Sequence, residues 1–199
     1  MRVSVEGNIG SGKSLLLRGL EAAGYRVLQE PLEEWGSLLD DFYADLARDA
    51  KPAPSALPFS LKVLEGFAGN GGGGGDDIWV YERSPATCKE VFTKMLLDDK
   101  RITADEWGVF CKYYDVLAWE PDLVLYVNTP VETCLERVQQ RGRACEEDIS
   151  YVYLRRLEFA YRFRLTHVPC LMLDGLLPPD QLAIKAAELI ASFSKQASI

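Results

Sequence analysis

A chain of 199 residues fits one domain, or one domain with insertions, and a second complete domain is not expected. Its 22 Lys and Arg face 30 Asp and Glu, a net charge of −8, which argues against a nucleic-acid backbone or an anionic membrane as the main partner. The five cysteines, Cys88, Cys111, Cys134, Cys145 and Cys170, are scattered without a CxxC pair, and His167 is the single histidine, so a disulfide framework, a zinc site and histidine-based triads are all disfavoured.

Five short apolar runs, rich in β-branched residues, end at turn or polar residues: RVSVEG (2–7), YRVLQE (25–30), IWVYER (78–83), DLVLYVN (122–128) and PCLMLD (169–174). Each is predicted as a strand buried on both faces. Helical periodicity fills the intervals, most clearly at 182–193, where Leu182, Ala186, Leu189, Ile190 and Phe193 share one face. Strands alternating with helices predict a doubly wound α/β domain, a parallel sheet covered on both sides. The segment 51–75 departs from this pattern. It opens on KPAPSALP and ends in a glycine run, so a flexible surface loop is expected at about 69–77. No apolar run has the length of a membrane span, and MRVSVEG shows no signal-peptide core. A soluble protein of the cytoplasm is the expectation.

Gly7, Asn8, Ile9, Gly10, Ser11, Gly12, Lys13 and Ser14 follow the first strand and precede the amphipathic SLLLRGLEAA. This is the P-loop spacing GxxxxGK[ST] in its required strand-to-helix context. Backbone N–H groups freed of side chains can wrap phosphate oxygens there, and the helix N-terminus adds positive partial charge. Lys13 would neutralise the β- and γ-phosphates of ATP, and the Ser14 hydroxyl would ligate Mg²⁺. With one histidine in the chain, any base near neutral pH should be a carboxylate.

Four motifs in order, EGNIGSGKS (6–14), EPLEEW (30–35), ERSP (82–85) and RGRACEEDISYVYL (141–154), resemble the deoxynucleoside kinase family, which includes the cellular deoxynucleoside kinases and the herpesvirus-type thymidine kinases. The resemblance runs from about Val3 to Leu173 and is weakest between Gly36 and Asp77. It implies a P-loop kinase fold: five parallel strands, helices on both faces and an arginine-rich lid at about 141–149. It further implies Glu30 as the base for a nucleoside 5′-OH, Trp35 as a plate for the nucleobase, Glu82 on Mg²⁺ and Arg83 at the reacting 5′ region. Arg137, Arg141 and Arg143 match the lid arginines around the transferring phosphoryl group, where fixed positive charge stabilises the transition state. Glu146 falls opposite the family's sugar-binding glutamate, and Tyr43 resembles its tyrosine partner on the 3′-OH.

In the pocket for the base the chain departs from its relatives. Ser60 stands where they carry a glutamine, and Phe67 and Cys88 where those acting on deoxycytidine and purines carry an arginine and an aspartate. Two uncharged groups leave apolar room for a 5-methyl and do not reward an exocyclic amino group. The expected activity is phosphorylation of a deoxynucleoside by ATP, with thymidine or another pyrimidine favoured and a homodimer as the oligomer to test. Two alternatives share parts of the pattern: a thymidylate or other nucleoside monophosphate kinase, and a non-catalytic nucleotide-binding regulator. Asp174 could lie beside the adenine or form a turn before Gly175, and His167 is expected at the end of a surface helix.

Overall fold

The computed structural model describes residues 1–68, 77–165 and 169–197. The glycine run and His167 lie outside the described residues. All five predicted strands form: β1 Arg2–Glu6, β2 Arg26–Leu28, β3 Trp79–Glu82, β4 Leu123–Asn128 and β5 Cys170–Asp174. They pair in parallel in the order β2-β3-β1-β4-β5.

The helices are α1 Lys13–Ala22, α2 Leu32–Ala47, α3 Ala56–Ala68, α4 Pro85–Thr87, α5 Lys94–Asp98, α6 Ala104–Leu117, α7 Val131–Arg141, α8 Tyr151–Leu165 and α9 Pro179–Ala197. A π-helical stretch, Cys88–Thr93, joins α4 to α5, and a 3₁₀ turn, Ala144–Glu146, lies between α7 and α8. Local chemistry explains several boundaries. Ser84 caps α4 with Pro85 at its first position, Thr103 and Glu106 form a capping box on α6, and Gly142, left-handed at φ 64°, ends α7.

Alternation along the strands divides the core between the two faces of the sheet. Val3, Val5, Leu123, Leu125 and Leu173 pack with Leu16, Leu17 and Leu20 of α1 and Leu182, Ala186 and Ile190 of α9. The periodicity read at 182–193 therefore marks the buried face of α9, with Leu189 and Phe193 partly buried beside it. Tyr126 joins Leu154, Leu157 and Tyr161 of α8 with Val131, Cys134 and Val138 of α7, while Tyr81 joins Leu64, Phe110 and Trp119.

The expectation of burial on both faces holds for the central strands and fails at the edges. β1 and β4 are buried almost throughout, whereas β2 has no buried residue and β5 has one. Each edge strand has a neighbour on one side only, so apolar composition exceeds what burial requires there. Chain order also sets the ligand end. From β1 the chain crosses to β2 on one flank, and from β3 it crosses to β4 on the other. A crevice consequently opens beyond the carboxyl ends of β1 and β3, the switch point of an open parallel sheet.

Candidate active site

The loop from Gly7 to Gly12 leaves β1 at that crevice and delivers Lys13 to the first position of α1. Two of its glycines are demanded by space. A Cβ on Gly7 would meet the Val127 carbonyl oxygen at 2.8 Å, and one on Gly10, where φ is +79°, would meet the Cys134 carbonyl oxygen at 2.3 Å. Gly7, Asn8 and Ser11 shape the loop from behind. They do not line the cleft, and Asn8 ties the loop to α8 by donating from Nδ2 to the Leu154 carbonyl at 2.8 Å. Ile9, Gly10, Gly12, Lys13 and Ser14 do line it.

The cleft has a volume of about 1070 Å³ and gathers the other predicted site residues from six stretches of the chain: Glu30; Trp35 and Tyr43; Ser60 and Phe67; Glu82 and Arg83; Cys88; and Arg137, Arg141, Arg143 and Glu146. Two placements differ from the sequence reading. β2 stops at Leu28, so Glu30 stands two residues past its end. β3 ends at Glu82, so Arg83 stands just past the strand rather than within it. Trp35, given no element by the sequence reading, belongs to α2, just before a break at Gly36 (φ 46°, ψ −131°), and its ring meets Phe59 edge-on.

Arg83 is the hub. It adopts φ 66°, its Nη1 donates to Glu30 Oε2 at 2.8 Å and its Nε to the Tyr161 hydroxyl at 3.2 Å. Its guanidinium also sits over the Phe92 ring, 5.0 Å from the centroid. The side chains of Arg83 and Glu30 are 8 % and 15 % exposed, so this is a buried ion pair. Burial pushes the Glu30 carboxyl up to about 7 against the opposing pull of Arg83, in the range where a general base works at neutral pH. Burial, reinforced by Arg83, lowers the Lys13 ammonium to about 8. Its Nζ donates to the Asn8 carbonyl at 2.9 Å. The Ser14 hydroxyl donates to Glu82 Oε1 at 3.4 Å, so a hydroxyl and a carboxylate converge at the mouth of the P-loop. Hydroxyl, carboxylate and nucleotide phosphates form the oxygen set that Mg²⁺ takes.

The three lid arginines part company. Arg137 braces the P-loop, donating from Nη1 to the Ser11 carbonyl at 3.2 Å and from Nη2 to the Gly175 carbonyl at 3.1 Å. Arg141 and Arg143 both bind Glu146, through Arg141 Nε at 3.1 Å and Arg143 Nη1 at 3.3 Å. The anion that relieves their mutual repulsion is thus part of the chain itself. Ser60 donates to the Ala56 carbonyl of its own helix at 2.8 Å, and Cys88 Sγ donates to the Ser60 carbonyl at 3.7 Å. Burial pushes the Cys88 thiol up to about 12, so it stands in the cleft as a neutral group. Asp174 does not line the cleft, and its carboxylate accepts from the Leu176 N–H at 2.9 Å, which is the turn reading.

Sequence reasoning missed Phe59, Val63, Phe92 and Tyr153, all in the cleft wall, and Tyr161 behind Arg83. A signal for the first two was present: Phe59, Val63 and Phe67 recur every fourth residue, one stripe along α3. Tyr161 carried none, because its role depends on a partner 78 residues away.

The family model described as deoxynucleoside kinase matches residues 3–189. The chain is 35 % identical over 164 residues to a kinase protein of Invertebrate iridescent virus 3, covering 82 % of each. It is 30 % identical over 192 residues to a protein of Frog virus 3 assigned by name as a deoxynucleoside kinase, covering 94 % of this chain and 92 % of that one. Among solved structures, a deoxyadenosine kinase from M. mycoides, described with the products dCMP and a flexible dCDP bound, superposes with a TM-score of 0.79 at 20 % identity. It covers 96 % of this chain and 99 % of its own, a likeness of fold. The chain belongs to the deoxynucleoside kinase family.

Proposed function

We propose that this deoxynucleoside kinase takes the γ-phosphoryl group of ATP·Mg²⁺ and transfers it to the 5′-OH of a deoxynucleoside, a pyrimidine and thymidine above all, releasing the 5′-monophosphate and ADP. The observation that carries the reading is the Glu30–Arg83 pair standing in one cleft with Lys13 and the Ser14–Glu82 contact. Glu30 accepts the proton of the attacking hydroxyl, and Arg83 and Lys13 hold charge that grows on the phosphoryl oxygens. Mg²⁺ would be held by Ser14 and Glu82 and would supply positive charge against that of the nucleotide phosphates. Arg141 and Arg143 supply further positive charge from the lid, and Glu146 with Tyr43 meets the sugar 3′-OH.

The preference for the base rests on Phe67 and Cys88. A neutral thiol and a ring give an exocyclic amino group no partner, and a buried amino group without one is penalised. A transfer assay with radiolabelled ATP tests both levels. Each of the four natural deoxynucleosides competes at equal concentration, with thymidine monophosphate as the control acceptor. Deoxyguanosine or deoxyadenosine outrunning thymidine overturns the base assignment. Phosphorylation of the monophosphate in preference to every nucleoside overturns the acceptor.

A further inference from the structure

Glu6 ends β1, and alternation sends Ser4 and Glu6 to the face opposite Val3 and Val5. It is 2 % exposed and does not line the cleft. Its Oε1 nevertheless accepts two hydroxyl protons, from Ser4 Oγ at 2.5 Å and Ser84 Oγ at 2.9 Å, and the Thr87 hydroxyl lies against the same carboxyl. A carboxyl buried this deeply is costly even among hydroxyl partners, and an aliphatic side chain would fill the place at less expense. What the carboxyl holds accounts for its presence.

Ser84 directly follows Arg83, whose left-handed backbone is strained for any residue but glycine. The turn is gripped twice. The Arg83 N–H donates to the Val5 carbonyl at 3.0 Å, the last rung between β3 and β1. One residue on, the Ser84 hydroxyl donates to Glu6, extending the ladder with a side-chain rung. The same oxygen accepts from the Thr87 N–H at 3.3 Å and so sets the start of α4. Glu6 therefore ties together the strand entering the P-loop, the turn carrying Arg83 and the helix leaving it.

We propose that Glu6 is a positioning residue for phosphoryl transfer: by holding the Ser84 hydroxyl it fixes the turn that aims Arg83, and through Arg83 the carboxylate of Glu30, into the cleft. The inference rests on the assignment of Arg83 to the phosphoryl group made above. Burial raises the Glu6 carboxyl toward its acid form.

The test compares Glu6→Gln, Glu6→Leu, Ser84→Ala and the double variant Glu6→Leu/Ser84→Ala in the full chain, with kcat, nucleoside KM and the thermal midpoint measured for each. Glu6→Gln keeps the acceptor and should stay within about threefold of the parent kcat. Glu6→Leu and Ser84→Ala should each lower kcat by roughly ten- to a hundredfold, the loss typical of a supporting partner, with KM nearly unchanged. The double variant should be no slower than the slower single, since both remove one link. A Gln variant as slow as the Leu variant overturns the proposal. So do independent, multiplying losses, a lowered midpoint with parental kcat, or a raised KM with parental kcat. If Glu6→Leu does not fold, Ser84→Ala alone decides, and parental kcat in that variant overturns it. Arg83→Ala separates the two levels. Full turnover there sinks the assignment of Arg83, whereas a dead Arg83→Ala beside fully active Glu6 and Ser84 variants sinks only this inference.

Discussion

Replacing Glu30 by glutamine removes one proton acceptor and changes almost nothing in size. In the parent chain the carboxyl is raised to about 7 by burial and is bound by Arg83 Nη1 at 2.8 Å. The amide oxygen can still accept from Arg83, which also retains the Tyr161 hydroxyl and the Phe92 face. The fold and the nucleoside site should therefore survive, with nucleoside affinity within about tenfold of the parent. Loss of a positioned base should lower kcat by roughly 10²- to 10⁴-fold, or about 3 to 5 kcal/mol of transition-state stabilisation.

The pH profile supplies an independent check. A base titrating at about 7 is half ionised there and about one-eleventh ionised at pH 6, so parental kcat/KM should fall about fivefold over that unit and about tenfold for each further unit. The sign follows from the role: the active form is the carboxylate, and acid removes it. In Glu30→Gln the acid limb should vanish, leaving a low, flat rate. Measuring kcat/KM for thymidine with a coupled ADP assay between pH 5 and 9 covers both readouts. A variant within tenfold of parental kcat, or one that keeps the acid limb, refutes the assignment of Glu30 as the base. Affinity and rate falling together would assign Glu30 to binding instead.

Lys13→Ala should lose orders of magnitude in turnover, and the parental kcat/KM profile should also fall above about pH 8, where the lowered Lys13 ammonium loses its proton; a basic limb persisting in a residually active Lys13→Arg variant would assign it to another group. Arg83→Ala should abolish turnover and also lower stability by about 1 to 3 kcal/mol, because it leaves the Glu30 carboxyl and the Tyr161 hydroxyl without their partner; an unchanged thermal midpoint would contradict that account. Gly10→Ala should weaken ATP binding by at least about tenfold, since a Cβ at φ +79° would meet a carbonyl oxygen at 2.3 Å and force the loop to shift; equal affinity by calorimetry would count against it. Glu146→Ala should shrink the discrimination between deoxynucleosides and their 3′-deoxy analogues and free Arg141 and Arg143 from their shared anion; an undiminished ratio would remove Glu146 from the sugar site.

The strand-helix alternation, the five strands and the P-loop were legible in the residues because each depends on spacing within a dozen positions. Glycines that must admit a carbonyl, as at Gly7 and Gly10, leave a local mark, and so does the apolar face of α9. Membership of the cleft was also largely readable, since three of the four motifs lie at strand ends that a parallel sheet brings to one side, and the fourth carries the arginines between α7 and α8. Pairing was not. Whether Arg83 would meet Glu30, 53 residues away, or Arg137 the Ser11 carbonyl, 126 residues away, depends on which groups lose water together when helices close over the sheet. The same packing left β2 and β5 as half-covered edges despite their apolar composition, and turned Arg141 and Arg143 onto Glu146. Spacing encodes a turn or a face, but ion pairs are chosen by burial and distance in three dimensions, and those exist only once the chain has folded.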